Sequence, residues 1–259
     1  MTSRQTGRGG LRLAIDGEVA TVTLGRPERR NAMTPEVWLG LAEIGASLPS
    51  QVRVVIVRGD GPSFCAGIDL SLLNGTAQGE QIARPGDPDF EQKVASYQAG
   101  YMWLRDPRIV SIAAVHGHAI GAGFQLALSC DLRILAEDAT FCMKEPALGL
   151  VPDLTGTKPL VDIVGLPRAI ELCLTARTVT AAEALLLRLA ELVVPNDELD
   201  AAVGDLVAAL LSTEPTAARA TKALLQHAPG HTLAEQAEQE RGVQAELLSG
   251  RLGSGSPRA

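Results

Sequence analysis

The sequence predicts an α/β core followed by a helical C-terminal third. Two largely apolar, β-branched runs, residues 52–57 and 109–115, are typical of strands buried on both faces of a sheet. Strand and helix signals alternate along the first part of the chain, and only helical segments follow from about residue 168. We therefore expect a mixed α/β domain with a helical region at its end.

The first fifty residues carry two local signals. A turn at Asp16-Gly17 predicts a hairpin between strands at residues 11–15 and 19–24. Thr34 is a typical helix cap, and it is followed by a proline in the first helical position and then by an acidic residue. A helix is therefore expected to begin there and to run to about residue 48.

The later elements follow from the same rules. Residues 72–89 are rich in glycine, proline, asparagine and glutamine, a composition that predicts a surface loop. A buried helix is expected at residues 124–129 and a strand at residues 132–135. Further helices are predicted at residues 90–104, 168–175, 181–189, 199–211, 215–226 and 233–248, before a frayed tail at 249–259.

The composition argues against several classes of function. The chain has 259 residues and a net charge of −7, whereas a nucleic-acid-binding domain would carry a basic face. No apolar run reaches the roughly 20 residues of a membrane helix, and residues 1–10 lack the features of a secretory signal. No His/Cys/Asp cluster has metal-binding spacing. We expect a cytoplasmic protein without a metal, whose thiols are reduced at Cys65, Cys130, Cys142 and Cys173.

Three glycine-rich segments, residues 63–70, 117–123 and 148–153, follow predicted strands. The second has the spacing G-x-x-x-G-x-G, which differs from the dinucleotide fingerprint G-x-G-x-x-G, and the chain has no P-loop. Glycines before a helix let backbone N–H groups approach a ligand at the positive end of the helix dipole, as in an oxyanion hole. Tight packing between strand and helix is the alternative explanation.

Four motifs resemble, in order, those of the enoyl-CoA hydratase/isomerase, or crotonase, family. Residues 26–33, RPERRNAM, are similar to the family opening R-P-x-x-x-N-A-[LM], and residues 63–70 resemble its F-x-A-G-x-D-[LI] motif. Residues 121–131, GAGFQLALSCD, resemble its helix G-[GA]-G-x-x-L-x-x-x-C-D. Residues 141–157 resemble F-x-x-x-E-x-x-x-G-x-x-P-x-x-G-G-T, with Thr155 in place of one glycine. The similarity covers about residues 11–200.

The resemblance implies a crotonase-type spiral of stacked ββα units with a helical C-terminal oligomerisation region. Residues 1–195 would form the spiral core with the CoA site and the active site, and residues 196–259 the trimerisation module. The ligand would be an acyl-CoA substrate, with no separate cofactor, and the assembly a homotrimer or a hexamer of two trimers. Apolar residues of the helical third favour subunit burial: Leu185, Leu186, Leu187, Leu189, Leu206, Leu210 and Leu211.

The family motifs also imply an oxyanion hole and CoA contacts. The backbone N–H groups of Ile68 and Ala122 would bind the thioester oxygen and stabilise the enolate that forms when an α-proton leaves. The CoA contacts implied by the resemblance fall on Arg29, Arg30, Ala66 and Asp69. For the arginine pair, an ordinary solvated loop is the alternative.

The catalytic carboxylates depart from the hydratase pattern. Hydratases of the family carry glutamate at both positions that are occupied here by Gln125 and Glu145. Gln125 could orient a water or polarise a carbonyl, but an amide does not exchange protons near neutral pH. Asp153 stands where the dienoyl-CoA isomerases of the family have an aspartate. The alternatives are an exposed salt-bridge residue for Glu145 and a turn or N-cap residue for Asp153.

The expected activity is therefore a double-bond shift in an enoyl- or dienoyl-CoA. Glu145 would carry the proton, and Asp153 would be a possible second carrier. Hydration of an enoyl-CoA, the lyase reaction of fatty-acid β-oxidation, is the first alternative. A catalytically silent acyl-CoA-binding protein is the second: Gln125 argues for it, and the pair Glu145 and Asp153 argues against it.

Overall fold

A computed structural model describes residues 3–74, 82–84 and 86–253. The chain divides into two compact units, Met1–Val207 and Ala208–Ala259. The predicted α/β core and helical C-terminal region are both confirmed. Of the surface loop predicted at residues 72–89, residues 75–81 and 85 lie outside the described residues. Within the described part, Leu72 ends up buried in a short helix.

The described part of the first unit contains two sheets. Its strands are β1 (Ser3–Thr6), β2 (Leu11–Asp16), β3 (Val19–Leu24), β4 (Val54–Gly59), β5 (Val110–Val115), β6 (His118–Ile120), β7 (Leu132–Ala136), β8 (Thr140–Cys142), β9 (Val179–Thr180) and β10 (Leu192–Val194). The larger sheet has the order β1-β2-β3-β4-β5-β7-β10, antiparallel from β1 to β3 and parallel from β3 to β10. The smaller sheet has the order β6-β8-β9.

The two strands predicted to be buried on both faces are β4 and β5, and the prediction is confirmed. β4 lies between β3 and β5, and its adjacent side chains Val54 and Val55, which point to opposite faces of the sheet, are both buried. β4 begins at Val54 rather than at residue 52, because the Val52 N–H donates to the Pro49 carbonyl in a turn at 3.0 Å. The parallel strands β4 and β5 end at the same edge of the sheet. From that edge the chain enters the first two glycine-rich segments.

The helices lie largely where the sequence predicts them. They are α1 (Pro35–Ser47), α2 (Leu70–Leu73), α3 (Phe90–Met102), α4 (Ala122–Ser129), α5 (Thr157–Val164), α6 (Leu166–Thr175), α7 (Ala181–Leu186), α8 (Leu199–Leu211), α9 (Pro215–His227) and α10 (Leu233–Gly253). The sequence-based prediction lacks α5, whose first turn contains Pro159, a position where no N–H partner is needed. It also lacks the short helix α2 and the strands β1, β6, β8, β9 and β10, which are too short to show a periodic pattern.

The leucines expected between subunits fall into different environments. Leu189 is fully buried in the core of the first unit, so the expectation that it faces another subunit is wrong. Leu186, by contrast, is 83% exposed, and Leu185 is 44% exposed. Only part of the predicted apolar set is therefore available for contact with a second chain.

The second unit is helical. In it α9 and α10 pack together, and the Gln236 Nε2 atom donates to the Leu224 carbonyl at 3.2 Å. Among the residues that the structure describes in either unit, no helix combines the length and the apolar character needed to cross a bilayer. Within the same residues, no group of three or more His, Cys, Asp or Glu side chains is arranged to hold a metal ion.

Candidate active site

A cavity of about 910 Å³ opens where the first two glycine-rich segments meet. The residues that line it include Ala66, Gly67, Ile68, Gly121, Ala122, Glu145 and Asp153. The structure therefore brings both predicted oxyanion donors and both predicted carboxylates to one site.

Asn31 fixes the path of the chain into this site. It is buried with a left-handed φ of 56°, a conformation that asparagine tolerates better than most residues. Its Oδ1 atom accepts from the Arg26 N–H at 2.9 Å. Its Nδ2 atom faces the carbonyl oxygens of Asp60 at 2.9 Å, Ser63 at 2.8 Å and Phe64 at 3.2 Å. In the sequence Asn31 is only one residue of the first motif, and neither its positive φ nor its hydrogen-bond partners can be predicted from it.

The Ile68 amide is left free by the pairing of its neighbours. The Met33 N–H donates to the Gly67 carbonyl at 2.7 Å, and the Asp69 N–H donates to the Met33 carbonyl at 2.9 Å. Backbone groups alternate in direction along an extended segment, so the Ile68 N–H points away from Met33. Within the described residues it donates to no other group of the protein.

The Ala122 amide is free because it begins a helix. The first N–H groups of a helix have no partner within it, and Gly121 caps α4 with a φ of 50°. Paired backbone segments bring this helix beside the first glycine-rich segment: the Ile120 N–H donates to the Cys65 carbonyl at 2.9 Å. A Cβ placed on Gly67 would lie only 3.9 Å from the Ala122 nitrogen. Two free amides therefore border the same cavity.

The glycines of the first two segments serve both close packing and the exposure of backbone amides to the cavity. A Cβ on Gly123 would lie 2.5 Å from the Cys65 carbonyl oxygen, so only glycine lets α4 approach this closely. The Cys65 thiol donates to the Asn31 carbonyl at 3.1 Å, and burial raises its pKa to about 12. Cys65 is thus a packed thiol and not an activated nucleophile. The Tyr101 hydroxyl, which is also buried, donates to the Ala122 carbonyl at 3.2 Å.

Gln125 lies on α4 with its side chain fully buried behind the cavity wall. Its Nε2 atom donates to Oε1 of Glu145 at 2.6 Å. Its Oε1 atom accepts from the N–H groups of Leu154 at 2.9 Å and Gly156 at 3.1 Å. The amide therefore bonds within the protein and does not line the cavity, which differs from the predicted role of orienting a water or polarising a carbonyl.

Glu145 is buried and forms no ion pair within the described residues. The alternative of an exposed salt-bridge residue is therefore wrong. Its Oε2 atom has no hydrogen-bond partner there, and a Cβ on Gly121 would meet it at 3.3 Å. Burial raises the pKa of Glu145, and the charge of Asp153 adds to this, although hydrogen bonds including that from Gln125 lower it. A buried carboxylate with one free oxygen beside two free amides is suited to proton transfer.

Asp153 lines the cavity without capping a helix. The cap of α5 is Gly156, so the N-cap alternative is wrong. The Gln98 Nε2 atom donates to the Asp153 carbonyl at 2.7 Å, which ties this turn to α3. The residue is exposed to solvent, yet partial desolvation raises the pKa of its carboxyl group. Asp153 is thus available as a second proton carrier.

The residues implied to contact CoA lie in two environments. Ala66 lines the cavity, whereas Arg29 and Arg30 are exposed and are not among its lining residues; the Arg30 carbonyl accepts from the Ala66 N–H at 2.9 Å. Asp69 caps α2 and pairs with Arg26 at 3.3 Å. Burial alone would raise the pKa of Asp69, but hydrogen bonds from Ser71 and Arg26 lower it. These contacts give Asp69 a structural role within the protein.

Comparisons with known proteins agree with this geometry. The family model described as enoyl-CoA hydratase/isomerase matches residues 14–252. A peroxisomal Delta(3,5)-Delta(2,4)-dienoyl-CoA isomerase from Arabidopsis thaliana is 34% identical over 83% of this chain and 80% of its own length. A short-chain-enoyl-CoA hydratase from Clostridium acetobutylicum is 32% identical over 81% of this chain and 78% of its own.

Solved structures extend the likeness to the whole fold. A candidate enoyl-CoA hydratase from Thermobifida fusca YX in complex with CoA is 59% identical, with a TM-score of 0.90 over 95% of both chains. Its complex with acetoacetyl-CoA gives a TM-score of 0.87 at 58% identity, over 93% of this chain and 95% of that one. On these grounds the chain belongs to the enoyl-CoA hydratase/isomerase family.

Proposed function

We propose that this protein shifts a double bond in an enoyl- or dienoyl-CoA. The proposal depends on one observation: a carboxylate oxygen without a partner, Oε2 of Glu145, lies in the same cavity as the two free amides of Ile68 and Ala122. An isomerisation needs a single group that takes a proton and returns it elsewhere on the same molecule. This site offers such a group.

The proton shift follows from these atoms. The thioester oxygen accepts hydrogen bonds from Ile68 and Ala122, while the Glu145 carboxylate removes a proton from the α-carbon. The electron pair of that C–H bond delocalises onto the thioester oxygen, where the two amides stabilise the negative charge. Protonated Glu145 then returns the proton to the γ-carbon, and the double bond moves from β–γ to α–β. For a conjugated diene the proton has to reach a carbon further along the chain, and Asp153 is the carboxyl group available there.

Hydration is the second candidate, because a relative with the name of a short-chain-enoyl-CoA hydratase is also similar to this chain. Hydration needs one group to activate water and another to protonate carbon. Here the second family position is Gln125, whose amide is bonded to Glu145, Leu154 and Gly156. The name of the dienoyl-CoA isomerase from Arabidopsis thaliana and the presence of Asp153 support isomerisation instead.

Binding of an acyl-CoA is common to all these alternatives. It is supported by the CoA and acetoacetyl-CoA complexes of the Thermobifida fusca protein, which is similar over almost its whole length. A silent binder would have no use for a free buried carboxylate oxygen, since burial of an unpartnered charged atom costs free energy. This cost at Glu145 favours a catalyst over a binder.

Mass spectrometry of products separates the candidates. The protein is incubated in deuterated water with 2-enoyl-, 3-enoyl- and 3,5-dienoyl-CoA thioesters. We expect isomers without added mass other than exchanged deuterium. Products heavier by one water would identify a hydratase, and unchanged substrates without deuterium would identify a binder. Either result would contradict the proposed isomerase.

A further inference from the structure

We propose that Gln125 is a positioning residue that holds Oε1 of Glu145 and the turn at residues 153–156, and so leaves Oε2 of Glu145 for proton transfer. This inference rests on the isomerase function proposed above. It assigns to Gln125 a role that works through Glu145 and without contact with the substrate.

The orientation of the Gln125 amide is dictated by its neighbours. Two backbone N–H groups, those of Leu154 and Gly156, point at one end of the amide, at 2.9 and 3.1 Å. That end has to be the oxygen, because a nitrogen could not accept from them. The other end is then the NH₂ group, and it donates to the Glu145 carboxylate at 2.6 Å. The Gln125 side chain thus bonds both to the Glu145 carboxylate and to the turn that contains Asp153.

Close packing leaves the amide little freedom to turn away. Gln125 has no exposed surface, and a Cβ on Gly156 would lie 2.5 Å from its Cγ atom. A rigid donor on Oε1 restricts the rotation of the Glu145 carboxyl group, so the same oxygen faces the substrate in each turnover.

A neutral donor at position 125 also keeps the ionisation of Glu145 simple. The titratable or charged groups around Glu145 are Asp153, Lys144, Tyr101, Cys142 and Cys173. The phenol and both thiols have raised pKa values and stay neutral near pH 7. A glutamate at position 125 would add a carboxyl group within hydrogen-bond distance of Glu145. Two such groups share one proton, and the second ionisation is strongly disfavoured.

Two substitutions at this position should therefore give different pH profiles. Gln125→Met removes the donor at similar length, so the acidic limb of kcat should move to higher pH, because the lost hydrogen bond favours the carboxylate form. Its kcat should fall roughly 100-fold, as for a misplaced catalytic group, while KM changes little. Gln125→Glu keeps the shape of the side chain. When the new carboxyl group and Glu145 share one proton, the hydrogen bond between positions 125 and 145 is also kept. The activity of this variant should be retained at low pH and lost as the pH rises through the second ionisation of the pair.

Ser111→Ala is the matched control for stability. It removes buried hydrogen bonds to the Leu104 carbonyl and the Asp131 carboxylate, none of which involves Gln125, Glu145 or the turn at residues 153–156. If Gln125→Met lowers the Tm but leaves both kcat and the acidic limb as they are in Ser111→Ala, Gln125 is a packing residue and the proposal is overturned. If the methionine variant does not fold, the profile of Gln125→Glu decides: a profile identical to that of the unmodified enzyme overturns the proposal.

An infrared titration distinguishes this proposal from the proposed function. The Glu145 carboxyl band is assigned by its loss in Glu145→Gln, and its midpoint is measured without substrate. We expect a higher midpoint in Gln125→Met than in the unmodified protein, and an equal midpoint would overturn the positioning role. If Glu145→Gln isomerises the substrate as fast as the unmodified protein, the proposed function is refuted. The titration midpoint of the Glu145 band would still test whether Gln125 acts on Glu145.

Discussion

At the scale of single residues, the free oxygen of Glu145 decides the chemistry. A buried carboxylate without a partner on Oε2 is a stronger base than one in water, because desolvation disfavours its charged form. We expect Glu145→Gln to reduce the isomerisation rate roughly 100- to 10,000-fold, the usual contribution of a positioned acid or base. The measurement is kcat with a 3-enoyl-CoA. CoA affinity, measured by calorimetry, should be unchanged and serves as the control.

The same carboxyl group should make stability depend on pH. Its pKa is higher in the folded chain than in the unfolded chain, so the folded state binds the proton more readily. That contribution to stability is complete below the ordinary glutamate pKa and is lost as the pH rises through the folded pKa. Glutamine resembles the protonated form, so Glu145→Gln should have a higher Tm than the unmodified protein at pH 7 and lose this advantage near pH 4. A lower Tm at pH 7 would contradict the sign of this effect.

Asp153 should matter more for one substrate than for another. Glu145 can reach both ends of a three-carbon allylic shift, whereas the shift across a diene spans two further carbons. We expect Asp153→Asn to lower the rate with a 3,5-dienoyl-CoA at least about tenfold more than with a 3-enoyl-CoA, since a positioned proton carrier contributes roughly 100-fold or more. Equal losses with both substrates, compared side by side, would argue for a purely structural role in the turn that Gln98 holds.

At the scale of elements, the oxyanion site depends on how closely α4 approaches the segment at Cys65. Gly123→Ala would place a Cβ 2.5 Å from the Cys65 carbonyl, so the helix and with it the Ala122 amide would have to shift. We expect a loss of about 1–3 kcal/mol in unfolding free energy from overpacking and about 100- to 1,000-fold in kcat from the displaced donor. Denaturant titration and steady-state kinetics measure the two effects.

Gly204→Ala is the matched control for this helix substitution. Gly204 lies within α8, and nothing stands within 4 Å of the place where its Cβ would be. Alanine there should increase the unfolding free energy by about 1 kcal/mol, because it favours the helix, and leave kcat unchanged. Full activity in Gly123→Ala would mean that α4 does not set the position of the oxyanion donor.

The elements also show which structural features a single sequence can predict. The hairpin of β2 and β3 follows from turn chemistry, α1 from a cap with a proline, and β5 from an apolar run. Their signals are local and need no knowledge of partners. The three-stranded sheet of β6, β8 and β9 is formed by pairing between distant short segments, and no local pattern encodes it.

The candidate site divides in the same way. Family motifs predicted Ile68, Ala122, Glu145 and Asp153, and the structure places all four around one cavity. The roles of Asn31 and Gln125 could not be predicted, because each depends on backbone groups that folding brings from elsewhere in the chain. The sequence gives the residue type at such positions, but the partner of each polar atom comes from the tertiary structure.

At the scale of the whole molecule, exposed apolar residues indicate that the chain associates with further copies of itself. On α6, Leu166, Ile170 and Leu174 recur every four residues and are 59%, 48% and 72% exposed. Residues at this spacing share one helix face, and a contiguous apolar patch on a surface marks an interaction site. Leu186 on α7 is 83% exposed. A single chain leaves all of this apolar surface in water.

We therefore expect a stable oligomer, in the trimeric or hexameric form that the family resemblance implies. Burying a leucine side chain that is largely exposed contributes about 1.5–3 kcal/mol, and symmetry repeats that contribution at each interface. Sedimentation equilibrium at micromolar concentration should show no species of 27.1 kDa. Leu174→Lys or Leu186→Lys should shift the mass towards that value if the residue lies in the interface, with circular dichroism confirming that the chain remains folded. A single 27.1 kDa species in the unmodified protein would rule out the oligomer.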